Sequence, residues 1–236
     1  MSTTTRSARR QQMITAVFAV IGAVLLGSLL RFEPGGTNFY LVTLALALVW
    51  TIGAFAAGPV HLGRQGWATL RLAGPARHPD ETRPDAGPRD RFIGPRPLLW
   101  PLAIGLGLAG VFVVGGLIVR EIPFLYDAVT AVLAFADAGT GPLLLFITVV
   151  NGLAEELFFR GALYDAVRGR KVLITTVVYA FATLLTGNVM LAFAAIVIGL
   201  VCGQQRRVTG GILAPMITHV TWSASMLYAL PLLFPM

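Results

Sequence analysis

Long apolar stretches, separated by short polar connections, run through most of the chain. Several reach the roughly 17 to 25 residues that a membrane-spanning helix needs. The pattern predicts seven spanning helices, at residues 13–31, 39–60, 98–119, 141–162, 172–186, 188–204 and 210–234. A helix satisfies its own backbone hydrogen bonds, as the bilayer interior requires. The predicted fold is therefore an all-α, polytopic membrane helix bundle of about seven transmembrane helices.

Two segments do not fit a span. Residues 122–137 are short and flanked by acidic side chains, and they predict an interfacial or half-buried helix. Residues 61–97 are rich in Arg, Pro, Gly and Asp and have too few large apolar residues to order a core, which predicts a flexible linker. The chain thus divides into residues 1–97, with two N-terminal transmembrane helices and this basic loop, and a membrane core at 98–236.

Composition supports the membrane assignment. The chain has 236 residues, of which 56% are apolar and 12% are charged, whereas a soluble domain holds about 25% charged residues. Its single cysteine, Cys202, excludes an intrachain disulfide and a cysteine-based zinc cluster.

The basic residues predict the orientation in the membrane. Sixteen of the 18 lysines and arginines, among them Arg206 and Arg207 after the sixth span, lie on one side, and only Arg31 and Arg120 lie on the other. The positive-inside rule places the larger group in the cytoplasm. The N-terminus and the 61–97 loop are then cytoplasmic and the C-terminus is outside. The net charge of +7 therefore reflects topology and contact with the lipid bilayer, not a nucleic-acid partner.

Two adjacent carboxylates, Glu155 and Glu156, lie within the fourth predicted span. An acidic side chain at the centre of a spanning helix costs roughly 2.5 to 3.5 kcal/mol, so such residues are usually paired and functional. Arg160 is four residues after Glu156 and is predicted to neutralise it. Consecutive helical residues point about 100° apart, so the two glutamates are predicted to serve different partners. Glu155 is then the candidate general base; the alternative is that both glutamates only bind neighbouring helices.

Polar side chains also occur at helical spacing in two later spans. His219 and Ser223 are four residues apart in the last span, and a histidine in a spanning helix favours a functional role. Tyr179 and Thr183 have the same spacing in the fifth span, where such residues often only pack helices together.

These motifs, in this order, resemble those of the CPBP family of intramembrane proteases, which includes CAAX-processing endopeptidases and bacterial Abi (bacteriocin-processing and immunity) proteins. The resemblance rests on Glu-Glu-x-x-x-Arg at 155–160 and on His219 in a late span, and it covers about residues 140–230. Residues 199–219 are also similar to the family's run between its second and third motifs.

The resemblance implies roles for individual residues. Glu155 corresponds to the glutamate that activates water, Glu156 and Arg160 to the accompanying pair, and His219 to the oxyanion-stabilising histidine. The family's second motif, Phe-x-x-x-His, corresponds to Tyr179 through Thr183, so a threonine stands in place of the histidine. Ser223 stands in place of an asparagine. A divalent metal such as zinc is implied by the family alone; one histidine within a span and no nearby cysteine predict no cofactor from the residues.

The leading hypothesis is a membrane-embedded, glutamate-dependent endopeptidase in the cell membrane of a bacterium. It would cleave membrane-associated peptides or proteins near the cytoplasmic face. One alternative is a catalytically impaired relative that acts as a membrane scaffold or immunity-type protein, which Thr183 favours. Another is a transporter with Glu155 as the proton carrier, although the chain lacks the repeated halves typical of transporters.

Overall fold

The computed structural model of the protein describes residues 3–63 and 96–235, so most of the predicted 61–97 linker lies outside the described residues. The described residues form eight helices and no strand. We label them α1 (Thr3–Ser28, continued by a 3-10 turn at Leu29–Arg31), α2 (Thr37–Ala57), α3 (Arg96–Val119), α4 (Pro123–Asp137), α5 (Gly141–Ala166), α6 (Lys171–Leu184), α7 (Val189–Thr209) and α8 (Leu213–Leu233).

The predicted all-α membrane bundle is confirmed. The predicted number of seven spanning helices is approximate. Five segments within the described residues are long and apolar enough to span a bilayer: Ala8–Arg31, Thr37–Ala57, Leu98–Val119, Gly141–Ala166 and Val189–Thr209. Helix α6 is apolar but has only 14 residues. Helix α8 has 21 residues, yet its hydroxyl and imidazole side chains dilute its apolar character. Helix α4, at 15 residues, is as short as predicted.

Helix α5 is the central helix of the bundle and packs between α2 and α8. Trp50 of α2 is fully buried against it, with its ring 4.5 Å from that of Phe158 and 5.0 Å from that of Phe159. Helix α3 packs along α8, α1 along α2, and α6 along α7. Because α5 is enclosed while the outer helices expose aliphatic side chains, its polar residues face protein rather than lipid.

Two connections set the position of α7 and α8. Asn188 caps α7, because its side chain accepts hydrogen bonds from the backbone N–H groups of Met190 and Leu191. Gly210 ends α7 in the left-handed conformation, with φ of 71°. The backbone N–H groups of Ile212 and Leu213, at the start of α8, then donate hydrogen bonds to the carbonyls of residues 61 and 62, at 3.0 and 3.2 Å. These contacts attach the start of α8 to the segment that follows α2.

Candidate active site

A π-helical segment, Glu156–Leu163, interrupts α5 at the polar motif. The apolar pattern predicted a regular α-helix here, and the structure corrects that expectation. A π-helix has i→i+5 hydrogen bonds, occurs in short pieces and is frequent at functional sites. Glu155 is the last residue of the preceding α-helical part, so the two glutamates stand at the junction of the two geometries.

Glu156 is the fully buried member of the carboxylate pair. Its Oε1 accepts a hydrogen bond of 2.8 Å from Nη1 of Arg160, which is itself 1% exposed. The predicted Glu156–Arg160 pair is therefore present. The Arg160 guanidinium also lies over the ring of Tyr179, 5.0 Å from its centroid, an arrangement in which the ring face attracts the cation.

His219 lies between the two glutamates. Its Nδ1 is 2.7 Å from Oε1 of Glu156, and its Nε2 is 3.8 Å from Oε2 of Glu155. The two glutamates have different hydrogen-bond partners, but one imidazole presents a nitrogen to each carboxylate where the π-helical segment begins. An ionised carboxylate can only accept, so Nδ1 carries the hydrogen toward Glu156. Nε2 faces Glu155 across a gap longer than a hydrogen bond.

Glu155 has a different environment from its neighbour. Its side chain is 14% exposed, whereas that of Glu156 is fully buried. The hydroxyl of Tyr179 donates a hydrogen bond of 2.5 Å to its Oε2. From the sequence, Tyr179 stood out only by its helical spacing from Thr183, because a contact across 24 positions between two helices leaves no local signal in the sequence.

The other two predicted residues contribute less to this cluster. The Thr183 hydroxyl is buried and donates to the backbone carbonyl of Tyr179, one turn earlier in its own helix, at 2.9 Å. Ser223 is half-buried on α8, one turn after His219. The structure thus brings together Glu155, Glu156, Arg160, Tyr179 and His219, with Thr183 bound to its own helix.

Arg206 supports the site, a role that the sequence did not reveal. It was predicted to follow the sixth span as a topology-determining charge, but α7 continues to Thr209 and buries it. Its Nε donates to the backbone carbonyl of Arg160 at 2.8 Å, and its Nη2 contacts both carboxylate oxygens of Asp165, at 2.9 and 3.2 Å. The Arg160 carbonyl, within the π-helical segment, thus accepts a hydrogen bond from a buried side chain.

A second polar chain holds α8 beside α7 and α3. Gln205 donates through Nε2 to the Thr218 hydroxyl at 2.7 Å, and that hydroxyl donates to the Pro101 carbonyl at 2.9 Å. Thr218 immediately precedes His219 and is fully buried. The two bonds therefore fix the rotation of α8 that turns the imidazole toward α5.

The donor set does not fit the divalent metal that the resemblance implies. No group of three or more His, Cys, Asp or Glu in the described part of the chain is arranged to hold a metal ion. Oε1 of Glu156 already binds the Arg160 guanidinium, and a dication beside that cation would be repelled. Among the residues that the structure describes, a single imidazole, that of His219, reaches the cluster, whereas catalytic zinc usually has three protein ligands.

A comparison with protein families gives a match that covers this part of the chain. Residues 138–225 match the family described as type II CAAX prenyl endopeptidase, Rce1-like. The matched segment runs from the start of α5 into α8 and contains every residue of the cluster. The resemblance drawn from the sequence is confirmed over these residues, and the chain is a multi-pass membrane protein similar to that endopeptidase family. Comparisons with curated proteins and with solved structures gave no match.

Proposed function

Starting from this similarity to a membrane endopeptidase family, we propose that the protein is a glutamate-dependent intramembrane endopeptidase. The observation that carries the proposal is the arrangement of Glu155. This carboxylate is partly exposed, and one of its oxygens accepts a hydrogen bond from Tyr179. It faces Nε2 of the His219 imidazole, whose other nitrogen, Nδ1, contacts Glu156. A general base with an oriented hydrogen-bond donor opposite it is what peptide hydrolysis requires. In this proposal, residues 98–236 form the catalytic core.

The reaction begins with Glu155 as the base. Glu155 takes a proton from a water molecule while the water oxygen attacks the carbonyl carbon of the scissile peptide bond. The resulting tetrahedral intermediate carries a negative oxygen. When it collapses, the C–N bond breaks and the proton held by Glu155 passes to the leaving amine. Every proton is accounted for by one carboxylate, and no step passes through a metal.

His219 is the proposed oxyanion donor. With Nδ1 directed at Glu156, the opposite nitrogen, Nε2, faces the region in front of Glu155. A protonated imidazole there donates Nε2–H to the developing oxyanion. Loss of one donor of this kind lowers kcat by about 10²- to 10³-fold. Glu156 and Arg160 act through His219 by keeping the ring orientation fixed.

The proposed substrate is a membrane-associated peptide or protein that reaches the site near the cytoplasmic face of a bacterial cell membrane. Three basic residues, Arg168, Arg170 and Lys171, follow α5 directly, and the positive-inside rule assigns that end of the helix to the cytoplasm. Prenylated peptides with a C-terminal CAAX sequence form one class of candidate substrate, because the matched family takes its description from them.

The test is a cleavage assay in liposomes against a panel of membrane peptides, including prenylated and unprenylated ones. Glu155→Gln keeps the shape of the side chain but removes the base, and we expect kcat to fall by about 10²- to 10⁴-fold. Glu121→Gln is the matched control, since this glutamate is 70% exposed in a loop outside the site. Equal activity of wild type and Glu155→Gln would refute the proposal.

A second candidate is a non-catalytic membrane scaffold or immunity-type protein. The observation that favours it is the engagement of Thr183 with its own helix, which leaves α6 without an imidazole at the site. If the protein is a scaffold, the Glu155→Gln variant should complement a deletion strain as fully as the wild type does. Loss of complementation with normal protein abundance would favour the enzyme.

A further inference from the structure

We infer that Tyr179 is the residue that positions Glu155 for catalysis. This inference rests on the proposed function, because it assigns how one oxygen of the proposed base is held. The hydroxyl of Tyr179 lies 2.5 Å from Oε2 of Glu155. A hydrogen bond from a hydroxyl to a carboxylate has this length when it is charge-assisted, and such bonds are about twice as strong as neutral ones.

The surroundings of Tyr179 hold the phenol in place. The residue is buried, its ring lies 4.7 Å from that of Phe159, and the Arg160 guanidinium covers it at 5.0 Å. Both neighbours belong to the π-helical segment that starts one residue after Glu155. The π-helical segment that directly follows the base therefore packs against the residue that holds the base.

Of the hydroxyl side chains on helix α6, Tyr179 and Thr183 were the two candidates for the site, and the structure distinguishes them. Thr183 donates its proton to the Tyr179 carbonyl at 2.9 Å, and this bond leaves no proton for the glutamate. Tyr179 reaches across to α5 instead. Tyr179 is thus the residue of α6 that contacts the site. Thr183 occupies the position at which the family's second motif has a histidine.

The contact leaves Glu155 with one oxygen for chemistry. Oε2 is bound by the phenol, while Oε1 accepts no hydrogen bond from the residues that the structure describes. A carboxylate free to rotate would present its oxygens in many directions. Tyr179 restricts it to one, and correct placement of a catalytic group to within about 1 Å is worth about 10²-fold in rate.

The test is Tyr179→Phe in the liposome cleavage assay. Because the phenol touches the base and not the substrate, we expect kcat to fall about 10- to 100-fold while KM changes less than about twofold. Tyr126→Phe is the matched control: its hydroxyl contacts the backbone carbonyl of residue 235, outside the site. Thr183→Val is expected to keep the wild-type kcat. A wild-type kcat in Tyr179→Phe, or a larger loss in Thr183→Val, would overturn the inference.

A second measurement does not depend on turnover. Infrared difference spectra between wild type and Tyr179→Phe should show a shifted carboxylate band, and the shift should vanish when both proteins also carry Glu155→Gln. A shift that persists without Glu155, or no shift at all, would contradict the contact. If Tyr179→Phe does not fold, difluorotyrosine at position 179 replaces it. Its more acidic hydroxyl is a stronger donor and should also shift the carboxylate band. No shift, or a shift that persists in Glu155→Gln, would contradict the contact.

The two proposals fail differently. If Glu155→Gln is as active as wild type, the proposed function fails whatever Tyr179 does. If Glu155→Gln is inactive while Tyr179→Phe keeps the wild-type kcat, only the positioning role fails.

Discussion

The ion pair in the middle of α5 should respond very differently to single and to double substitution. Glu156 is 0% exposed and Arg160 is 1% exposed, and they are joined by a bond of 2.8 Å. Arg160→Met removes the cation and leaves a buried carboxylate with His219 as its remaining partner. Breaking a buried pair from one side costs about 3–5 kcal/mol, because the other charge stays desolvated. Glu156→Gln should cost a similar amount, since it leaves the guanidinium buried without a counter-charge.

The double variant, Glu156→Gln with Arg160→Met, removes both charges together. Replacing a whole buried pair is often close to neutral, so the double variant should be more stable than either single variant. The backbone bond from Arg206 to the carbonyl of residue 160 is unaffected by these changes. Glu155→Gln is the matched comparison: the amide oxygen can still accept the Tyr179 hydroxyl, and one neutral hydrogen bond contributes only about 1 kcal/mol.

The measurement is the free energy of unfolding in mixed micelles, obtained from a denaturing-detergent titration for the four proteins and wild type. The reasoning is refuted if Arg160→Met and Glu155→Gln lose equal stability. It is also refuted if the cost in the double variant equals the sum of the single costs, because two residues in one buried bond should not behave additively.

Two further predictions concern topology and helix packing. A cysteine placed within residues 64–95 should react with an impermeant maleimide only after cells are permeabilised. Glu33→Cys, at an exposed position, should react in intact cells. The native Cys202 is fully buried and gives a low background. The opposite labelling pattern would reverse the assigned orientation. Gly22→Ala should destabilise the protein by about 1–3 kcal/mol, because the new methyl group would collide with the ring of the fully buried Trp50. Gly107→Ala, where the space is open, is the control in the same thermal unfolding assay, and equal melting temperatures for the two variants would contradict the packing.

Local patterns in the sequence were sufficient for the fold class and for part of the site. Apolar stretches of spanning length predict a helix bundle because the bilayer leaves few other ways to satisfy the backbone. The spacing of Glu156 and Arg160 predicted their pairing, since side chains four residues apart on one helix are neighbours before any tertiary contact forms. The order of the motifs pointed to the matched family for a similar reason. Motif order, like residue spacing, is a property of the linear sequence and needs no tertiary structure.

Contacts between helices needed the tertiary structure. The bond from Tyr179 to Glu155 and the placement of His219 against both glutamates join α5 to α6 and to α8. Such contacts depend on helix rotation, which is set by packing and by the buried polar bonds of Gln205 and Thr218. The π-helical segment and the burial of Arg206 likewise became evident only from the tertiary structure. Helix formation is decided by neighbours in the chain, whereas the direction in which a helix turns its polar face is decided by what packs against it.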